Sequence, residues 1–340
     1  MGIAGLADGL RELGHRVERV APAAARPGTL ARLAFNLALP FRMEPEAWDL
    51  VVSFDLDGCF LDTGPVPRVT ALKGVMADEA RFERGATRLR FTALSRLEAR
   101  AADRADRVVV TSEHCREVVR RAYGVPAGRQ AVVPEGIDLE AWRELPSSAD
   151  PSTGPTVLSV ARQYPRKNTA TLLRAFARVR EERPDVRLRV VGDGPRLGRL
   201  RRLTRRLGLE GPVRLEGAVS GLRRVQAAYA DADLFCLPSL QEGFGIVFLE
   251  AMAAGLPVVA GDAAAVPEVV DDGTTGLLVD PRDPAAVAGA LLRLLDDADL
   301  RRSMGRAGRE RVRAYGWLRV ARRFLDAVDD LLPDRGAEAT

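Results

Sequence analysis

Two glutamates and two basic residues stand out because their types and spacing suit a charged, hydroxylated ligand. Seven residues separate Glu242 from Glu250. Carboxylates accept hydrogen bonds from hydroxyl groups, whereas they make poor ligands for phosphate. Arg162 and Lys167 lie five positions apart before a predicted helix. Two cations at such a place can neutralise a diphosphate through charge-assisted hydrogen bonds. The four side chains therefore indicate a ligand with hydroxyl groups on both sides of a phosphate, as in a sugar nucleotide.

The segment directly after the first glutamate supplies a second place for an anion. It contains Gly243, Phe244, Gly245, Ile246 and Val247. The glycines let the backbone come close to a ligand. The N–H groups of the last four residues are expected to point out of a helix start, where the helix dipole also favours negative charge. A buried strand, turn and helix with a capping glutamate remains the alternative interpretation.

The elements that position these residues follow from the apolar pattern. The runs Leu234–Leu237 and Leu256–Ala260 predict two buried strands, and Ile246–Ala254 between them has helical composition. Glu242 is therefore expected in a loop at the carboxyl end of a strand. Glu250 is expected about one turn inside the following helix. Strands alternate with helices in both halves of the chain, which predicts an α/β protein with parallel sheets.

The sequence around these residues resembles a known family. EGFGIVFLEAMAAGLPVVA, which contains Glu242 and Glu250, is similar to the E-x7-E signature of retaining glycosyltransferases of the family 4 type. The resemblance also includes Val266–Leu291, Thr156–Asn168, Val190–Pro195 and Val132–Asp138. It implies the GT-B fold, in which two Rossmann-like doubly wound parallel-sheet domains face each other across a cleft.

The resemblance also assigns roles to the residues above. Glu242 and the backbone of Phe244, Gly245 and Ile246 would orient the donor sugar, while Glu250 would hold the ribose hydroxyls. Arg162 and Lys167 would neutralise the departing diphosphate. Such charge stabilisation is usually the largest catalytic term, and two side-chain cations with a helix start would make a metal unnecessary.

The resemblance also places three further residues in the site, but the motifs around them are less specific. Val219 follows a predicted strand where the family's backbone meets the base. Gly192 lies in a Gly-x-Gly turn after a buried strand, which by itself is a weak signal for nucleotide contact. Lys73 stands where family members commonly have a histidine that contacts the donor sugar. A lysine can bind a hydroxyl or phosphate there, but it cannot act as a neutral imidazole.

The resemblance implies a retaining glycosyltransferase of the hexosyl type that moves a sugar from a UDP- or GDP-sugar to an acceptor that the sequence does not name. No cofactor, metal or nucleic acid is expected. A non-catalytic sugar-nucleotide binder and a sugar-nucleotide epimerase of the same fold stay open as alternatives. A hydrolase with two acting carboxylates is also conceivable, but it would leave the two cations without a role.

The domain boundaries are read from composition and from the resemblance. Residues 1–150 are expected to form an acceptor-side domain, residues 151–316 the donor-binding domain, and residues 317–333 a helix that crosses back to the first domain. Pro146–Pro155 marks the hinge by its Pro, Ser and Gly content. The chain is expected to start with a helix and, from His15, the beginning of a strand, whereas the family's first strand is missing. Pro22–Pro40 is expected to be irregular.

Composition describes an ordinary globular chain of 340 residues with 46% hydrophobic and 29% charged residues. It shows no apolar run of the ~20 residues that span a bilayer, and no signal peptide, so a cytoplasmic protein is expected. The basic helical region Arg81–Arg107 suits a peripheral contact with an anionic membrane, although a solvated face is the plainer interpretation. Asp55, Asp57 and Asp62 follow a predicted strand and suggest an acceptor-facing loop more than a cation loop.

Overall fold

The computed structural model describes residues 2–22, 28–146 and 154–333 of the chain. The chain forms two compact units. The first is drawn from Met1–Glu135 and Trp317–Thr340, and the second is Gly136–Gly316. Most of the predicted hinge lies outside the described residues, since 147–153 are not among them. Each unit has its own parallel sheet.

In the described residues, the first unit has a sheet of four parallel strands that lie side by side in chain order. The strands are β1 (Val51–Phe54), β2 (Arg68–Leu72), β3 (Arg107–Val110) and β4 (Gln130–Val132). β2 is buried along its whole length, as expected for a parallel strand covered on both faces. Because all four strands run the same way, the loops that follow them emerge at one edge of the sheet.

The second unit has a sheet of six parallel strands in its described part. The strands are β5 (Thr156–Val160), β6 (Arg187–Val191), β7 (Val213–Gly217), β8 (Leu234–Leu237), β9 (Val258–Gly261) and β10 (Gly276–Val279). Their spatial order is β10-β9-β8-β5-β6-β7. The chain moves outward from β5 to β7, returns to β8 beside β5, and then moves outward on the other side. The order of this doubly wound sheet reverses between β5 and β8, which is where such sheets bind ligands.

Helices cover the sheets. In the first unit they are α1 (Gly2–Glu12), α2 (Thr29–Ala38), α3 (Met76–Glu79), α4 (Gly85–Asp103) and α5 (Glu113–Tyr123). In the second unit they are α6 (Thr169–Glu182), α7 (Leu197–Arg206), α8 (Leu222–Ala230), α9 (Ile246–Ala254), α10 (Val266–Val269), α11 (Pro284–Asp296) and α12 (Ala298–Val312). The helix α13 (Trp317–Asp326) belongs to the first unit. None of the helices in the described ranges is long and apolar enough to cross a bilayer.

Each sheet is held by apolar side chains on its faces. In the second unit, one buried cluster joins α6 and α11 to the strands, and a second joins α8 and α9 to them. In the first unit, Leu6, Val69 and Phe324 belong to a cluster that joins α1 and α13 to the sheet. Gly5 permits the close approach of α1 to α13, because a Cβ atom there would lie 2.1 Å from the ring of Trp317.

Two expectations about the first forty residues were wrong. No strand forms within residues 15–22. The stretch predicted to be irregular contains α2 instead, while residues 23–27 lie outside the described residues. α2 forms because it buries Phe35 and Asn36 against the unit. Its two most exposed leucines, Leu30 and Leu37, hide the apolar periodicity that usually reveals a helix.

Candidate functional site

The loops after β5 and β8 meet at the reversal point of the second sheet through one ion pair. Lys167 Nζ lies 2.6 Å from each carboxylate oxygen of Glu242. The hydroxyl of Ser239 donates to Glu242 Oε1 over 2.7 Å. The two charged side chains are only 13% and 7% exposed. Taking both charges out of water carries a desolvation penalty, so the partly buried pair marks this place as a candidate ligand site.

Local structure fixes Lys167 at this place. It ends a single 3-10 turn, Pro165–Lys167, and the next residue, Asn168, has a φ of 54°. The amide of Asn168 donates to the carbonyl of Pro281 and accepts a hydrogen bond from Thr171 Oγ1 over 2.8 Å. The N–H of Leu240 donates to the carbonyl of Arg166 over 2.8 Å, which joins the β8 loop to this turn. The ion pair is therefore held by backbone contacts on both sides.

Arg162 lies on the same loop but has no carboxylate partner within the described residues. Its side chain is exposed, and its guanidinium lies 5.4 Å from the ring centroid of Tyr164. The buried Gln163 next to it anchors the loop, because its N–H donates to Asp193 O over 3.0 Å and its side chain to Ala161 O over 2.7 Å. Arg162 is thus a positioned cation that is available to an anion.

Gly192, predicted to contact nucleotide, has a packing role in the structure. Its φ is 123°, and a Cβ atom there would lie 1.9 Å from the carbonyl oxygen of Ala161. Its N–H donates to Gly217 O over 2.7 Å. The glycine allows the backbone before Arg162 to pass close to the turn after β6. Val219, predicted at the base, lies after β7, is half-buried, and packs against the apolar cluster that contains α8 and α9.

The start of α9 follows Glu242 on the same edge of the sheet. Phe244 is buried, with its ring centroid 5.8 Å from that of Tyr315. Gly245 is the N-cap, with a φ of 95°, and no side chain caps the helix. As at any helix N-terminus, the first N–H groups of α9 have no partner within the helix. Gly243 is partly buried between Glu242 and this segment. An open helix start beside two cations can bind an anion.

Glu250 lies in the second turn of α9, and its carboxylate is held by a tyrosine. The hydroxyl of Tyr229, on α8, donates to Glu250 Oε2 over 2.8 Å. Burial of the carboxyl group raises the pKa of Glu250 to about 7, although the hydrogen bond from Tyr229 opposes the increase. The side chain is nevertheless partly exposed. Near neutral pH, Glu250 can therefore exist both as the carboxylate and as the acid.

Lys73 lies in the first unit, in the loop after β2. Its Nζ is 2.7 Å from Glu135 Oε1, and its N–H donates to Asp55 Oδ1 over 3.0 Å. Asp57 accepts hydrogen bonds from Arg32 Nε over 2.8 Å and from the amide of Asn36 over 2.9 Å. Arg32 and Asn36 are both on α2. In the described residues, no group of three or more His, Cys, Asp or Glu side chains could hold a metal ion.

Several partners in this arrangement were not among the predicted site residues. Ser239 lies three residues before Glu242 in the same loop, so a local hydrogen bond could have been anticipated. Tyr229, Glu135 and Arg32 are distant in sequence from the residues they contact. No local pattern indicates such pairings, because they depend on how helices pack against a sheet.

Two family models match the chain over adjoining ranges. The family model for glycosyl transferases group 1 matches residues 140–311, and the model for glycosyltransferase family 4 matches residues 2–141. A GDP-mannose-dependent alpha-(1-6)-phosphatidylinositol monomannoside mannosyltransferase of Mycobacterium tuberculosis is 36% identical over 242 residues, which are 67% of this chain and 62% of that protein. A D-inositol 3-phosphate glycosyltransferase of Streptomyces avermitilis is 36% identical over 230 residues, which are 63% of this chain and 49% of that protein. The chain thus spans between 49% and 62% of the length of these two relatives.

Solved structures show the same fold at low sequence identity. A sucrose-phosphate synthase from Thermosynechococcus elongatus has a TM-score of 0.78 at 23% identity, covering 97% of this chain and 92% of its own. WaaG, a glycosyltransferase involved in lipopolysaccharide biosynthesis, has a TM-score of 0.72 at 20% identity, covering 96% of this chain and 94% of its own. With the two parallel-sheet units, these similarities establish the GT-B fold.

Proposed function

Because this chain belongs to the glycosyl transferases of group 1, we propose that it transfers a sugar from a nucleotide diphospho-sugar to an acceptor. The observation that carries the proposal is the contact between Lys167 and Glu242 at the reversal point of the second sheet. Arg162 and the open start of α9 lie on the same edge. Cations and helix N–H groups at one place suit a diphosphate, while carboxylates beside them suit sugar hydroxyls.

The proposed chemistry rests on charge placement. As the bond between the sugar and the diphosphate breaks, negative charge develops on the leaving group. Arg162, Lys167 and the helix N–H groups would stabilise that charge in an environment that is already organised for it. Glu242, held by Lys167 and Ser239, would orient the sugar, and Glu250 would bind the ribose. We expect these groups to suffice without a metal.

The relatives suggest which substrates to test first. The mycobacterial relative is named for GDP-mannose and a phosphatidylinositol mannoside, and the Streptomyces relative for inositol 3-phosphate. We propose a UDP- or GDP-sugar as donor, with GDP-mannose the first choice, and a polyhydroxylated acceptor, free or lipid-linked. Retention of the anomeric configuration, implied by the resemblance around the two glutamates, is part of the proposal.

We also propose that the first unit contacts an anionic membrane. The exposed arginines of α4 have no carboxylate partner among the described residues; they are Arg88, Arg90, Arg96 and Arg100. Leu89, between them, is 73% exposed. A helix with cations and an exposed apolar residue suits an anionic lipid surface. Sedimentation with phosphatidylglycerol vesicles, but not with phosphatidylcholine vesicles, would support this contact, and loss of binding in R88E/R96E would locate it.

The function is tested by binding and turnover. Calorimetry with UDP and GDP identifies the base, and mass spectrometry with a panel of sugar nucleotides and polyol acceptors identifies donor and product. We expect turnover that needs both substrates, persists in EDTA, and retains the anomeric configuration. Donor consumption without acceptor would indicate a hydrolase or an epimerase. Binding without turnover would favour a non-catalytic binder, the alternative suggested by the lysine at position 73.

A further inference from the structure

We infer that Tyr229 is a positioning residue of the donor site: its hydroxyl holds the Glu250 carboxylate so that one oxygen stays available to a ligand hydroxyl. The inference rests on the proposed function, in which Glu250 binds the ribose of the donor. Nothing in the sequence connects the two residues, which lie on different helices. The arrangement of α8 against α9 brings them together.

Tyr229 is fixed by the packing around its ring. The side chain is fully buried, with the ring of Trp142 edge-on at 5.1 Å and the ring of Phe235 stacked at 5.7 Å. The hydroxyl therefore has little freedom to reorient. Its short contact is with Glu250 Oε2 at 2.8 Å, whereas the carbonyl oxygen of Val247 lies at 3.5 Å. The phenol thus acts as a rigid donor aimed at one carboxylate oxygen.

The contact leaves the second oxygen of Glu250 free. In the described residues Oε1 accepts no hydrogen bond, and the side chain is partly exposed. A glutamate on a helix surface otherwise samples several rotamers and loses that freedom when it binds a ligand. Because the tyrosine fixes the carboxylate beforehand, ligand hydroxyls meet an acceptor that is already oriented.

Tyr229 also favours the ionised form of Glu250. Burial raises the pKa of Glu250 to about 7, and the hydrogen bond from Tyr229 lowers it. Burial also raises the pKa of Tyr229 well above its ordinary value, so the phenol remains a donor. Tyr229 is the one titratable side chain that the described structure places in hydrogen-bond contact with Glu250. Removing the hydroxyl should therefore raise the pKa of Glu250 and move its ionisation to higher pH.

The test is Tyr229→Phe, with the sugar nucleotides GDP-mannose and UDP-glucose titrated into wild type and variant by calorimetry between pH 6 and pH 9. Their diphosphates carry no terminal phosphate that would itself titrate in this range. We expect binding of the preferred sugar nucleotide to strengthen as the pH rises through about 7 in wild type. In the variant this midpoint should move upward, and affinity at pH 7 should fall roughly tenfold, as for a hydrogen bond to a charged group. In turnover assays the donor KM should rise more than kcat falls.

Two controls separate positioning from packing. Trp142→Phe disturbs the same aromatic cluster but keeps the Tyr229 hydroxyl, so the pH midpoint should not move. Glu250→Gln cannot ionise, so the step near pH 7 should vanish, and adding Tyr229→Phe should change the pH profile no further. If Tyr229→Phe is unstable, Glu250→Gln alone still tests the inference, because a step near pH 7 that survives in it would not belong to the carboxylate that Tyr229 holds.

The outcomes separate a failure of the inference about Tyr229 from a failure of the proposed function. If wild type binds neither sugar nucleotide and consumes no donor, the proposed function is wrong. If wild type binds but Tyr229→Phe leaves both affinity and pH midpoint unchanged, or if the step near pH 7 survives in Glu250→Gln, the role of Tyr229 is wrong while the function stands.

Discussion

At the scale of single residues, the contact between Lys167 and Glu242 leads to the most direct test of the proposed site. Neither group has bulk water to replace its partner, since both side chains are largely buried. Deleting one member therefore leaves the other charge without compensation, which costs more than the pair itself contributes. For the same reason the two residues should behave as one unit, both in stability and in sugar transfer.

We expect Lys167→Ala and Glu242→Ala each to lower kcat about a hundredfold or more, the scale of removing one electrostatic contact to a transition state. The double variant should lose much less than the product of the two single losses. Arg174→Ala, an exposed cation on α6, is the matched control and should retain wild-type turnover. If either single variant keeps a kcat within about threefold of wild type, as the control is expected to do, that residue has no role in the reaction.

At this scale, a site residue can be predicted from the sequence when it stands in a local motif, whereas its contact with a residue distant in the chain cannot. Both members of the ion pair were predicted as site residues, because each stands in a recognisable local motif. Their direct contact was not predicted, because it depends on the turn at Asn168 and on the backbone bond between Leu240 and Arg166. Tyr229 was missed for the same reason.

At the scale of elements, a loop at the carboxyl edge of the second sheet contains a non-glycine residue in the left-handed backbone region. Ala264, in the loop after β9, has a φ of 53°. A left-handed conformation costs an L-residue about 1–2 kcal/mol. The loop adjoins the site, because the N–H of Ala265 contacts the carbonyl of Glu242 at 3.4 Å. Strain of this kind is kept only where the surrounding structure fixes it.

Ala264→Gly should therefore raise the free energy of unfolding by about 0.5–1 kcal/mol, the relief of strain less the greater entropy of glycine in the unfolded chain. Urea denaturation followed by circular dichroism measures this difference. Ala263→Gly is the neighbouring control: its φ is not positive, so glycine there should be destabilising. Equal effects of the two substitutions would show that left-handed strain at Ala264 does not limit stability.

Elements with a strong local signal were predicted well. Leu234–Leu237 and Ile246–Ala254 have the predicted bounds, because a buried apolar run and a glycine stop are local features. The last helix was predicted over residues 317–333, but α13 ends at Asp326 and a separate 3-10 turn, Asp329–Leu331, follows. The residue at which a helix ends depends more on tertiary contacts than on local composition.

At the scale of the whole molecule, alternating strands and helices predicted the two parallel sheets, and motif order predicted the GT-B fold. The strand order β10-β9-β8-β5-β6-β7 could not be read from the strands themselves, since parallel neighbours share no local sequence signal. The family resemblance implied only that the sheets are doubly wound. The burial of individual acids could not be predicted either, because nothing in the sequence distinguishes a buried glutamate such as Glu98 from one on the surface.

Glu98 makes the stability of the molecule depend on pH. It lies in the buried part of α4, where its carboxyl group contacts the Tyr123 hydroxyl and accepts from the N–H of Met76 over 2.8 Å. Burial raises its pKa from an ordinary 4.5 to about 8, with the charge of Asp55 acting in the same direction. Between these values the folded state keeps a proton that the unfolded state has released. The unfolded state then binds fewer protons, so stability falls as pH rises from about 4.5 to about 8.

We therefore expect Glu98→Gln, which resembles the protonated acid, to flatten the fall in thermal stability between pH 5 and pH 8.5. Relative to wild type, the variant should gain at least about 1 kcal/mol over this range, the equivalent of one pKa unit. Scanning calorimetry at a series of pH values provides the comparison. Glu117→Gln is the control, because its ion pairs hold the pKa of Glu117 at about 2, below the range scanned, and the slope should stay as in wild type. A Glu98→Gln profile parallel to that of wild type would mean that Glu98 is ionised in the folded protein throughout, and that its surroundings stabilise the carboxylate rather than the acid.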